Sequence, residues 1–187
     1  YSVNRFPVDF TRPVNTFGNL YNLLINLHLL KDQNLDLNIR TSEHVKAMFR
    51  LGRETPESHP FMNENEGFGS ELLETLEQMW MRCQGPVSSQ LQNYIENHFE
   101  DFDLFIFFSY NYATTYYSLP KVAKKSILVP TAHAEACLKF PLFIPMLNSV
   151  GYFLYNTRTE KQLLEEVNPD LVLTPGEICG AGVDLVS

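Results

Sequence analysis

Cysteine is scarce in this chain: three in 187 residues, at Cys83, Cys137 and Cys179, widely spaced and with no CxxC pair. An odd number without zinc-ligand or disulfide-framework spacing argues against a structural zinc site and a cystine-stapled module, and fits a reducing compartment. Basic charge is also short. Lys and Arg number 14 against 22 Asp and Glu, for a formal net charge of −8. Nucleic-acid binding needs a basic stripe, and no such stripe is present, so no nucleic-acid partner is expected. Long apolar runs are missing too. The most apolar region, residues 140–155, is too short to cross a bilayer and is interrupted by Pro141, Pro145, Asn148 and Gly151. No secretory leader pattern is visible, and the expectation is a soluble, cytoplasmic chain. Neither GxGxxG nor a GKS/GKT loop occurs, so Rossmann cofactor binding and a P-loop both lack their fingerprint.

What is present is a core. Hydrophobic residues make up 44% and aromatic residues 13% of the chain, enough to argue against disorder. The length suits one domain. Residues 3–8 (VNRFPV) read as a short edge strand because of Pro7. Phe17, Leu20, Leu23, Leu24, Leu27 and Leu30 recur at helical spacing, which predicts an amphipathic helix with His28 as a surface or interface residue. A second helix is expected over 42–51, a loop over 52–69, and helices over 70–83 and 88–98, parted by Gly85-Pro86. The first half is thus mainly helical.

The second half alternates. Residues 103–108 form an unbroken apolar strand, 126–129 a second and 152–155 a third, with a helix near 143–148 between the last two. Thr157 and Glu160 have capping-box spacing and open a helix through Leu163, Leu164 and Val167. Residues 171–173 and 178–183 read as further short strands. Strand, helix, strand at this spacing implies a parallel sheet: an α/β fold, three-layer α/β/α and Rossmann-like.

Chemistry concentrates in residues 125–135, KSILVPTAHAE. A buried strand stops at Pro130, and Thr131, His133 and Glu135 follow at once. Ligands of open α/β sheets bind just beyond the carboxyl ends of the strands, so a titratable pair there is a candidate site on position alone. A histidine in such a place is also often a hydrogen-bonded structural residue. His133-Ala134-Glu135 matches half of the zinc deaminase signature, but the P-C-x-x-C half is missing. No GxSxG elbow supports a hydrolase. The tyrosines Tyr110, Tyr112, Tyr116 and Tyr117 fit either sugar stacking or core and rim packing.

Taken in order, DLFIFFSYNYATTYYSLP, SILVPTAHAE, YFLYNTRTEKQLL and CGAGVD, with RFPV and Arg12 upstream, resemble the N-terminal, acceptor-side domain of family 4 glycosyltransferases of the GT-B fold. The resemblance covers nearly the whole chain, strongly from about Trp80 onward and weakly through 40–70. It implies retaining transfer of a sugar from a nucleotide-sugar to a glycan or lipid-linked acceptor. The donor nucleotide would be held by a separate C-terminal domain, and no cofactor is expected in this chain. His133 matches the family histidine that faces the transferred sugar, and Glu135 would be an acceptor-side or capping carboxylate; these two are the expected catalytic residues. Tyr110, Tyr112, Thr131, Asn156 and Glu160 would contact substrate, the tyrosines as stacking walls. Ala134 stands where the family commonly has Asp. Gly182-Val183-Asp184 resembles the end of the family's N-terminal domain, so the chain reads as an internal slice whose activity needs the other half. The same fold also suits a non-catalytic carbohydrate-binding or protein-interaction module. A homodimer and peripheral membrane contact are further partners the reading leaves room for.

Overall fold

The computed structural model describes residues 3–9, 11–32 and 70–180, with the side chains of 70–72 left aside. The helix expected over 42–51, the loop over 52–69 and the Gly182-Val183-Asp184 segment lie outside the described residues. The chain divides into two compact units, Arg12–Cys83 and a second made of Tyr1–Thr11 with Gln84–Ser187.

In the first unit, α1 (Val14–Asp32) buries Leu20, Leu24 and Leu27, the stripe that the sequence period predicted. It meets α2 (Ser70–Gln84) through aromatic packing, Trp80 stacking against Phe17 at 5.5 Å and Tyr21 at 5.7 Å between ring centroids. His28 is tied down: its Nε2 lies 2.7 Å from the Glu77 carboxylate, which is buried. The helix ends at Gly85, whose φ of 44° is the left-handed geometry that glycine adopts freely after a helix.

In the second unit, residues 3–8 are not a strand. They run without regular pairing, Asn4 donating to the Tyr94 hydroxyl and Phe6 packing on the same ring. Helix α3 (Ser89–His98) is N-capped by Ser88, whose hydroxyl accepts from Leu91 N at 3.2 Å. Four strands follow: β1 (Phe105–Phe108), β2 (Ser126–Val129), β3 (Tyr152–Tyr155) and β4 (Gly176–Ile178). They form one parallel sheet in the order β1-β2-β3-β4. Helices α4 (Ala113–Ser118), α5 (Phe143–Asn148) and α6 (Arg158–Val167) supply the crossovers. The α/β class with a parallel sheet is therefore as the sequence predicts.

Leu128 and Phe153, register partners on one face of the sheet, are both fully buried. On the other face Ile106 and Phe108 are 58% and 66% exposed. Strand β1, an unbroken apolar run in sequence, is thus exposed on this face.

Two more expectations need correction. Residues 171–173 lie in a 3-10 helix, Pro169–Leu173, where only Leu171 is buried while Val172 and Leu173 face out. Proline at the first position of that turn has the fixed φ a helical start accepts. The last strand starts earlier than predicted, at Gly176, where a Cβ would come within 2.8 Å of Phe153 Cβ. Only glycine lets β4 approach β3 so closely.

Candidate functional site at the carboxyl ends of the strands

The segment after β1 is held against the end of β2 by backbone hydrogen bonds, Ser109 N to Val129 O at 2.9 Å and Tyr110 N to Pro130 O at 3.0 Å. Ser109 and Thr131, the turning residues after β1 and β2, have φ of 65° and 51°. Left-handed backbone is uncommon in a serine and an outlier in a β-branched threonine. Their hydroxyls meet at 2.6 Å.

From there the site is built by two carboxylates. Glu135, half-buried, accepts a hydrogen bond from the Tyr110 hydroxyl at 2.8 Å. Tyr110 is fully buried, its ring edge-on to Phe143 and its oxygen 3.5 Å from Cys137 Sγ. Burial holds its phenol far above the ordinary range, with the Cys137 thiol and the Glu135 carboxylate pushing the same way, so it stays protonated and donates. This overturns the expectation of a stacking wall at Tyr110: the ring is core, and only its hydroxyl serves the site. Tyr112 is exposed and remains free to contact a ligand.

Glu160 is the second. It is 5% exposed, and its carboxylate accepts from Ala132 N at 2.7 Å and from Asn156 N at 2.6 Å, with the Asn156 side-chain amide at 3.3 and 3.4 Å. Both oxygens are occupied by protein, so Glu160 is a clamp between the β2 and β3 loops rather than a substrate contact. The predicted capping box is half-formed: Thr157 Oγ1 accepts from Glu160 N at 3.0 Å, but the glutamate reaches Asn156 N instead of the cap residue's own amide. Asn156 stands at the end of β3, its amide engaged by this clamp.

His133 is exposed, one residue beyond the clamped Ala132 amide, and neither ring nitrogen has a partner among the described residues. Its backbone carbonyl accepts from Glu135 N at 2.7 Å, closing a tight turn that keeps the two side chains on one short loop. Of the seven sequence-predicted residues, Tyr110 and Glu135 bond each other, Asn156 and Glu160 bond each other, Thr131 bonds Ser109, His133 sits among them in sequence, and Tyr112 follows β1. Ser109 was missed. Nothing in SYNYA marks it, because positive φ is announced in a sequence by glycine or asparagine and here falls on serine. Among the described residues no group of three His, Cys, Asp or Glu side chains is close enough to hold a metal ion, and no helix is long and apolar enough to cross a membrane.

Comparison of the chain with protein-family profiles, with curated proteins and with solved structures finds no match.

Proposed function

We propose that this chain is the acceptor-side domain of a retaining GT-B glycosyltransferase of the family 4 kind, moving a sugar from a nucleotide-sugar to a glycan or lipid-linked acceptor. The observation that carries the reading is the set of hydrogen bonds at the carboxyl ends of β1, β2 and β3, with the exposed His133 imidazole, which has no partner among the described residues, on the loop after β2. In this reading His133 orients sugar hydroxyls and stabilises charge developing at the anomeric carbon, and Glu135, aligned by the Tyr110 hydroxyl, takes a hydroxyl of the acceptor. The family's three-layer architecture would place a further layer over the face bearing Ile106 and Phe108. The donor nucleotide would be bound by a second domain, and closure of the two would complete the site.

A binding module on the same fold is the second reading, favoured by Ala134 standing where the family commonly has Asp. The test is transferase activity of the longest natural chain containing this sequence, assayed against a panel of nucleotide-sugars beside His133→Ala. Turnover lost in a folded variant supports the transferase. Turnover indifferent to the substitution removes His133 from the site, and no turnover with any donor leaves the binding module.

A further inference from the structure

Two hydroxyl-bearing residues, Ser109 and Thr131, occupy left-handed backbone at the ends of adjacent strands, and their oxygens are 2.6 Å apart. Glycine in either place would relieve the backbone. A strained conformation that the surroundings hold in place is a mark of functional positions, and here two of them touch. Whichever hydroxyl donates, the pair keeps one unused proton together with unused lone pairs. Close by along the chain, the exposed His133 imidazole offers one donor and one acceptor when neutral, with no partner among the described residues. Glu135 has one oxygen on the Tyr110 hydroxyl and the other without a hydrogen-bond partner among the described residues.

These groups differ in what they ask of a ligand. A sugar hydroxyl both donates and accepts, so it can use all of them. A phosphate or carboxylate only accepts, and it would face the Glu135 charge without a lysine or arginine anywhere in 109–113 or 130–138. The first turn of α6 carries the exposed Arg158, but Glu160 belongs to the same turn and the Glu160 amide already bonds Thr157. Resting on the glycosyltransferase reading of this site, we infer that Ser109 and Thr131 are contact residues for an uncharged, hydroxyl-rich ligand: a neutral sugar unit rather than a phosphorylated or acidic one.

The test is titration of the chain, followed by saturation-transfer NMR, with a panel of methyl glycosides and the corresponding sugar monophosphates. At least one methyl glycoside is expected to bind, and more tightly than its phosphate. Ser109→Ala and Thr131→Val should each weaken it about tenfold, the worth of one lost neutral hydrogen bond, while the melting temperature holds. If either variant fails to fold, Ser109→Gly and Thr131→Gly, which relax the backbone, are expected to give the same loss. Binding of no methyl glycoside, tighter binding of the phosphates, or affinity unchanged in both variants overturns the inference. Failure of the transferase reading is distinguishable. A glycoside bound through Ser109 by a protein that transfers no sugar leaves this inference standing and removes the other. Transfer that ignores both substitutions does the reverse.

Discussion

Glu160 shows what one buried carboxylate can organise. Its two oxygens take the amides of Ala132 and Asn156, which belong to different loops, and removing them would leave one buried and one half-buried donor without this partner. Each such donor costs roughly 1–3 kcal/mol, so Glu160→Ala should destabilise by about 3 kcal/mol, read as a lower urea midpoint with the slope unchanged. A midpoint within error of the parent would mean that the clamp holds nothing. Tyr155 behaves oppositely. Its hydroxyl is buried with no hydrogen-bond partner among the described residues, so Tyr155→Phe should be neutral or stabilising by up to ~1 kcal/mol near neutral pH. Burial first, then the Glu165 and Glu160 carboxylates, push its phenol up to about 12. The folded value lies above the unfolded one, so this contribution is complete below pH ~10 and is lost as pH rises toward 12. Urea unfolding between pH 9 and 12 should therefore show stability falling more steeply in the parent than in Tyr155→Phe. Equal slopes would place the loss elsewhere.

At the scale of elements, close approach decides more than propensity does. A Cβ on Gly151 would lie 2.7 Å from Ala123 O and 2.9 Å from Ser126 O, both rigid backbone atoms at the entry to β2. Gly151→Ala should cost about 1–3 kcal/mol through this overpacking, visible as a melting temperature lowered by several degrees. An unchanged melting temperature would mean that the β3 entry moves aside freely. The sequence announces β2, β3 and α6 well, because their apolar runs end at proline, glycine or a capping threonine. Ser126 adds a link that no pattern shows, donating to Ala123 O and accepting from Gly151 N. Where the reading failed, the apolar residues did not report their surroundings. Leu171-Val172-Leu173 look like a strand but follow Asn168-Pro169, which starts a turn, and only Leu171 finds a buried place. Residues 3–8 alternate plausibly yet have no sheet neighbour to pair with among the described residues. In the candidate site, position after a strand was enough to place Thr131, His133 and Glu135 just beyond the end of β2. The different fates of Tyr110 and Glu160, both polar and both in the right segments, depend on burial that spacing does not encode.

Taken whole, the sheet unit presents an unusual surface. β1 pairs only with β2 among the described strands, and Leu104, Ile106 and Phe108 are each more than half exposed. Apolar side chains on an unpaired edge are a template for self-association. Phe108→Lys and Ile106→Lys should therefore raise the solubility limit of the chain with little effect on its urea midpoint, since neither side chain is buried. A large loss of stability in either variant would mean that these side chains contribute to packing after all.

The clamp on Ala132 and Asn156 also has a kinetic signature. These amides stand 24 positions apart in sequence, yet they hang from the two oxygens of a single side chain. Neither can be released to solvent by a fluctuation of its own loop without leaving the same carboxylate short of a partner. In deuterium exchange the two should lose protection together, at a shared opening rate, so that a pair of loops distant along the chain breathes as one unit.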